Sequence, residues 1–111
     1  MSTRTEGVYL RFFVHENRRH HGILLYEWLL EQAKAMGIHG GTAFRAIAGF
    51  GRHGVMHEQH FFELAGDVAV RLDFLVTFEE ADKLIKLVET EKLVIPFAEL
   101  PAEFGITGGT P

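Results

Sequence analysis

Apolar side chains stand at every second position from Val68 to Val76 (Val68, Val70, Leu72, Phe74, Val76), and the chain then runs straight into Thr77-Phe78-Glu79-Glu80. A period of two turns every apolar group to one side of an extended strand, so this strand buries one face only. Threonine followed three residues later by glutamate is a capping box, in which each side chain satisfies the other residue's backbone N–H at a helix start. The helix it opens carries Ala81, Leu84, Ile85 and Val88 on one face. A one-faced strand feeding a one-faced helix folds as a sheet layer against a helix layer.

The same unit occurs earlier. Residues 8–15 alternate, with Val8, Leu10, Phe12 and Val14 on one side and Tyr9, Arg11, Phe13 and His15 on the other. Residues 16–21 (ENRRHH) read as a charged connection. Leu25, Trp28, Leu29, Ala33 and Met36 then form a helical stripe across residues 22–36, which Gly37 is placed to end. A second, buried strand is expected from Gly41 to about Gly51, with Phe44 and Ile47 inward, and a third from near His60, interrupted at Ala65-Gly66-Asp67. Leu93-Val94-Ile95 begin a short fourth strand that Pro96 confines to an edge or ends.

The order β-α-β-β-α-β gives an α+β fold of ferredoxin-like type: a four-stranded antiparallel sheet with both helices on one face. The other face then carries Tyr9, Arg11, Phe13, Arg71 and Asp73. Large aromatics mixed with charges suit an oligomer interface better than bare surface. The expected layout is an N-terminal extension at 1–7, the folded domain at 8–99 and a flexible Gly/Pro/Thr-rich tail at 100–111.

Composition narrows the function classes. One domain is expected from 111 residues, and the net charge of −4 with scattered basic residues argues against nucleic acid as a partner. The chain contains no cysteine, which excludes disulfides, zinc-thiolate sites and thiol catalysis. Residues 1–7 show no signal-peptide core and no apolar run is long enough to span a bilayer, so a cytoplasmic protein without direct membrane insertion is expected.

The candidate binding segment is Gly40–Gly54, GGTAFRAIAGFGRHG. Gly49 and Gly51 flank Phe50, and no Cβ keeps a ligand from their backbone. Arg52 and His53 follow, placing a fixed positive charge and a further donor at the end of a strand, as an anionic ligand requires. Arg18, Arg19, His20 and His21 form a second cationic cluster. Gly22, read as the start of the first helix, offers free N–H groups beside it.

This segment, with the loop, strand and helix that follow it, resembles the nitrogen-regulatory PII signalling proteins, whose strand runs Gly-x-x-Gly-x-Thr and ends in Gly-Phe-Gly-Arg. Glu16, Arg19, Gly22, Leu25-Tyr26-Glu27, Gly49–Gly51 and His57 are similar to a PII-like family of unknown function, often found beside or fused to fluoride channels. The resemblance implies a homotrimer that binds an adenine nucleotide (ATP, ADP, AMP or cyclic AMP) between subunits. It implies a loop, here 52–59, that regulates a partner such as a membrane channel or transporter. It assigns Gly49, Phe50, Gly51 and Arg52 to the phosphate side of that cleft and Thr42 to the base side. His53 and Gly54 replace the glutamine and lysine of the nitrogen-regulatory members, so a 2-oxoglutarate response is not implied. No arginine follows Arg71, so their paired C-terminal arginines have no counterpart.

The seven histidines raise a metal reading. His57-Glu58-Gln59-His60 is one residue short of the HExxH spacing, and His20-His21 diverge if extended, so no metal site is assigned from one chain. Trp28 and Tyr26 read as packing groups. No Ser–His–carboxylate arrangement is visible, and an enzyme is not expected. Two other readings stand beside the regulator. One is a trimeric metal-associated protein resembling the cation-tolerance branch of the superfamily, using His53, His57 and His60. The other is a small dimeric α+β-barrel enzyme.

Overall fold

The computed structural model describes residues 1–49 and 69–109. Strand β1 spans Thr5–His15 and is followed by the short strands β2 (Arg19–His20) and β3 (Ile23–Leu24). Helix α1 covers Leu25–Ala35, strand β4 Thr42–Arg45 and strand β5 Ala69–Val76. Helix α2 covers Phe78–Thr90, and strand β6 runs Phe97–Phe104.

The four-stranded sheet has the order β4-β5-β1-β6 and every pairing is antiparallel. Each helical crossover skips one strand, since β1 and β4 flank β5 while β5 and β6 flank β1. This is the ferredoxin-like plan. Alternation decides what each face carries. Val8, Leu10, Phe12 and Val14 of β1, with Val70, Leu72, Phe74 and Val76 of β5, join Leu25, Trp28, Leu29, Ala81, Leu84 and Val88 of the helices in one core. Both helices therefore cover the same sheet face, and Phe12 and Phe74 meet edge to face at 6.2 Å.

The capping box forms as read from the sequence. Glu80 N–H donates to Thr77 Oγ1 at 3.1 Å, and Thr77 N–H donates to Glu80 Oε1 at 2.9 Å. Thr77→Ala removes both the acceptor and its reciprocal partner's anchor. It is expected to cost about 1 kcal/mol, measured as a shift of the urea midpoint with the slope unchanged.

Three elements differ from expectation. The last strand is Phe97–Phe104 rather than 93–95, so it reaches five residues into the segment read as tail. It is an edge strand, where Pro101, opposite Val8, removes an N–H without breaking an inner ladder. Beyond it, Thr3 N–H donates to Ile106 O at 3.0 Å and Ile106 N–H to Thr3 Oγ1 at 3.0 Å, joining the two ends of the described chain. Strand β4 is exposed throughout, with Phe44 at 45% and Ile47 just beyond it at 95%, and among the described residues it is the outermost strand on that side of the sheet. The charged connection 16–21 contains β2, and α1 begins at Leu25 rather than Gly22.

Candidate functional site

The open sheet face converges on one buried acid. Asp73 is 6% exposed and stands opposite Arg11 on β1 and Thr42 on β4. Its Oδ2 accepts from Tyr9 Oη at 2.7 Å. Its Oδ1 lies 2.9 Å from Arg71 Nε and 3.6 Å from Arg11 Nε, close enough to neutralise the charge but not aligned for hydrogen bonds. Each guanidinium also lies 4.6 Å from the centre of an aromatic ring, Arg11 over Tyr9 and Arg71 over Phe44. Around this charged centre Phe13, Phe44 and Leu75 are each more than 40% exposed.

A cavity of about 1050 Å³ opens beside this centre, at the start of β4. Gly37, at φ 89°, ends α1 in the left-handed conformation that favours glycine, and the chain crosses through His39 and Gly40 to reach β4. At Gly41 a Cβ would stand 2.4 Å from Phe74 Cε1, so only glycine lets the segment lie against that ring. Thr42, Phe44, Tyr9 and Asp73 line the cavity, with Thr77 and Glu80 at its side. Its described walls combine apolar and aromatic surface with hydroxyls, carboxylates, the basic side chains Arg4 and His39, and the chain ends near Thr3 and Ile106. A mixed apolar and polar lining of this kind is that of a small-molecule site.

The candidate binding segment Gly40–Gly54 is described only as far as Gly49. Ala46 N–H donates to Ala69 O at 2.9 Å and continues the β4–β5 pairing. Phe50, Gly51, Arg52 and His53, with His57 and His60, lie outside the described residues. At this end of β4, Arg45 makes a forked pair with Glu16, with Nε 3.1 Å from Oε1 and Nη2 3.2 Å from Oε2. The sequence reading did not single out Arg45. Its signal was the presence of Glu16 in the family-like phrase without a named partner.

The 18–22 segment forms a hairpin of its own. His21 (φ 52°) and Gly22 (φ 82°) are the two central residues of a β2–β3 hairpin in which His20 pairs with Ile23. Positive φ at both positions is the type I′ pattern. Arg19 Nη1 donates to Gly22 O at 3.2 Å and braces the turn, and Arg18 Nη1 donates to Val94 O at 3.1 Å. Gly22 is thus a turn residue, and the expected helix N-terminus is not there. The first helical N–H, that of Leu25, is taken by Arg18 O at 2.7 Å.

The left-handed turn also overturns the divergence of His20 and His21. Their rings lie 4.1 Å apart, and both Nε2 atoms meet Glu91 Oε1, at 2.8 Å and 2.6 Å. The hydrogen bonds from His20 and then His21 hold the Glu91 carboxyl below its ordinary value of 4.5. A lowered carboxyl pKa stabilises the fold above that ordinary value, and the contribution disappears as pH falls through the folded-state pKa. Trp28 is buried in the core as expected, and its ring stands edge-on to His20 at 4.6 Å.

No helix among the described residues is long and apolar enough to cross a membrane. Comparison with known proteins gives a consistent family. A UPF0166 protein of Aquifex aeolicus (strain VF5) is 34% identical over 83 residues, which cover 75% of this chain and 76% of that protein. Residues 7–94, from the N-terminal part of β1 to the connection before β6, match DUF190, described as "Uncharacterized ACR". The chain therefore belongs to the DUF190 family.

Proposed function

We propose that this chain is a PII-like regulatory subunit that binds a small anionic effector, an adenine nucleotide, in clefts between copies of itself. The observation that carries the reading is the cavity at Thr42. It lies at one end of the strand whose other end leads toward Gly49 and the Gly-Phe-Gly-Arg sequence. Strand β4 then spans the ligand, with base and ribose against Thr42, Tyr9 and Phe44 and phosphates against Gly51, Arg52 and His53. Arg19 and Gly22, braced against each other in their hairpin, remain in the proposed contact set as a second cationic side of the site.

The open sheet face supports self-association. Exposed Phe13, Phe44 and Leu75 surround a charged centre, the composition of a protein interface core with one specific polar anchor. A homotrimer is proposed, with a mass in solution three times the 12.5 kDa of one chain. Occupancy would select one arrangement of the 52–59 loop, and the regulated partner, a membrane channel or transporter in this reading, would distinguish the two arrangements. The role is regulatory rather than catalytic, and the proposed compartment is the cytoplasm.

Calorimetry with ATP, ADP, AMP and cyclic AMP tests the binding step. At least one is expected to bind saturably. Arg52→Ala should weaken that ligand by about 10- to 100-fold, the usual worth of a charge-assisted hydrogen bond. No heat at millimolar nucleotide, or an Arg52→Ala variant with wild-type affinity, would sink the proposal.

A further inference from the structure

From the hairpin tip and the end of α2, we infer that His20, His21 and Glu91 form a binding site for a divalent transition cation of the zinc type. This site is separate from the cavity at Thr42 and does not depend on the nucleotide reading.

Three observations carry it. First, the ligand atoms are His20 Nε2, His21 Nε2 and a Glu91 carboxylate oxygen, all within 4.8 Å of one another. Zinc bonds of about 2.0–2.2 Å place tetrahedral ligand atoms roughly 3.3 Å apart. Glu91 Oε1 is 2.8 Å and 2.6 Å from the two nitrogens, so opening the contacts by about 0.5–0.7 Å admits the ion. In the hydrogen-bonded arrangement both Nε2 atoms carry protons toward the carboxylate. On coordination each neutral imidazole carries its proton on Nδ1 instead, and the freed Nε2 lone pairs meet the cation at the same convergence point. Two imidazoles and one carboxylate leave a fourth tetrahedral position for a water molecule.

Second, the backbone is bent to make this convergence. Among the described residues, His21 (φ 52°) and Lys92 (φ 57°) are the non-glycine positions with positive φ. One is a proposed ligand and the other directly follows one. A left-handed conformation costs a Cβ-bearing residue about 1–2 kcal/mol, less for asparagine, and the preferred tip of such a hairpin is Asn-Gly. Here histidine occupies the asparagine position. Local turn preference is given up for an imidazole aimed at Glu91, and such departures cluster at functional positions.

Third, the electrostatics and surroundings favour a cation. Glu91 caps the C-terminus of α2, the negative end of the helix dipole, and the last turn holds no basic residue. A bound divalent ion relieves that accumulation of negative charge. His20 is largely buried, with a side chain 15% exposed against Trp28, while His21 at 64% leaves an entry path.

The chain has a single tryptophan, Trp28, which touches this cluster and reports on it directly. Metal-free full-length protein is titrated with zinc chloride, following Trp28 emission and zinc bound per chain. One equivalent should bind, with an emission change that saturates at that ratio. His21→Asn preserves the turn by restoring Asn-Gly, and Glu91→Gln preserves the shape of the helix cap, so both variants stay folded by circular dichroism. Each should weaken zinc by more than the roughly 10- to 100-fold typical of an outer-sphere change. Binding of less than one equivalent, or wild-type affinity in either variant, overturns the assignment. His20 and His21 would then serve only as hydrogen-bonding partners of Glu91.

Discussion

Phe74→Ala is expected to lower stability by about 3–5 kcal/mol, the usual cost of truncating a buried aromatic. Phe74 is 1% exposed at the centre of β5 and meets Phe12 edge to face, so little can relax into the space it leaves. A loss of that size is a large part of the total of about 5–15 kcal/mol that holds a domain folded. It should lower Tm by about 15 °C or more. The ring also has a second task. Its Cε1 lies where a Cβ of Gly41 would stand, 2.4 Å away, so Phe74 sets the path by which the chain enters β4 beside the cavity.

The two positions are therefore energetically coupled. Gly41→Ala alone overpacks against Phe74 and Leu30 and is expected to cost about 1–3 kcal/mol. In the Phe74→Ala background the same methyl enters vacated space, and its cost should largely vanish. Urea denaturation of the four proteins gives the coupling, expected to exceed about 1 kcal/mol. Additive losses would mean that the segment 39–41 is held by something other than the Phe74 ring.

Sequence patterns were readable where one physical rule acted alone. Period-two alternation located β1 and β5, and the Thr77–Glu80 box located the start of α2, because strand pleat and helix capping are local. β6 was misplaced because FAELPAEF carries a proline and no clean alternation, and its place is fixed by pairing with β1 rather than by its own composition. Phe44 and Ile47 looked like core because apolar side chains resemble core whether the strand is central or at an edge. Sheet order, a non-local property, decides between the two, and among the described residues β4 is an outer strand.

The candidate sites depend on non-local packing in the same way. Thr42 entered through the family resemblance alone, and the packing of Gly41 against Phe74 was not read, because a glycine in sequence does not say which ring it lies against. Nor was the partnership of His20 with His21. Adjacent side chains diverge in extended backbone, and that rule fails when one residue is left-handed. His21-Gly22 between two short apolar and cationic runs held the clue, since a positive-φ pair is what a two-residue hairpin requires. Glu91 enters only through the fold, 70 residues further along the chain.

Asp73→Asn is the second large effect. It keeps the acceptor for Tyr9 Oη but leaves two guanidinium groups facing a neutral amide on the open sheet face. Breaking a fully buried ion pair costs about 3–5 kcal/mol because the surviving charge is stranded. Arg11 and Arg71 are each about one third exposed and can turn toward water, so about 2–3 kcal/mol is expected in the isolated chain. A loss below about 0.5 kcal/mol would instead make the cluster an ordinary surface array. The triple variant Arg11→Met, Asp73→Leu, Arg71→Met separates stability from specificity. Well-packed apolar replacements of buried ion clusters are often neutral or stabilising, so this variant should recover most of the loss in urea denaturation. What it removes is the one polar feature that fixes how an otherwise apolar face meets another copy. If that face carries self-association, the triple variant should sediment as a mixture of assemblies while the wild type gives a single species. A single species from both proteins would show that apolar contact alone sets the assembly, and the charged centre would then act only within the chain.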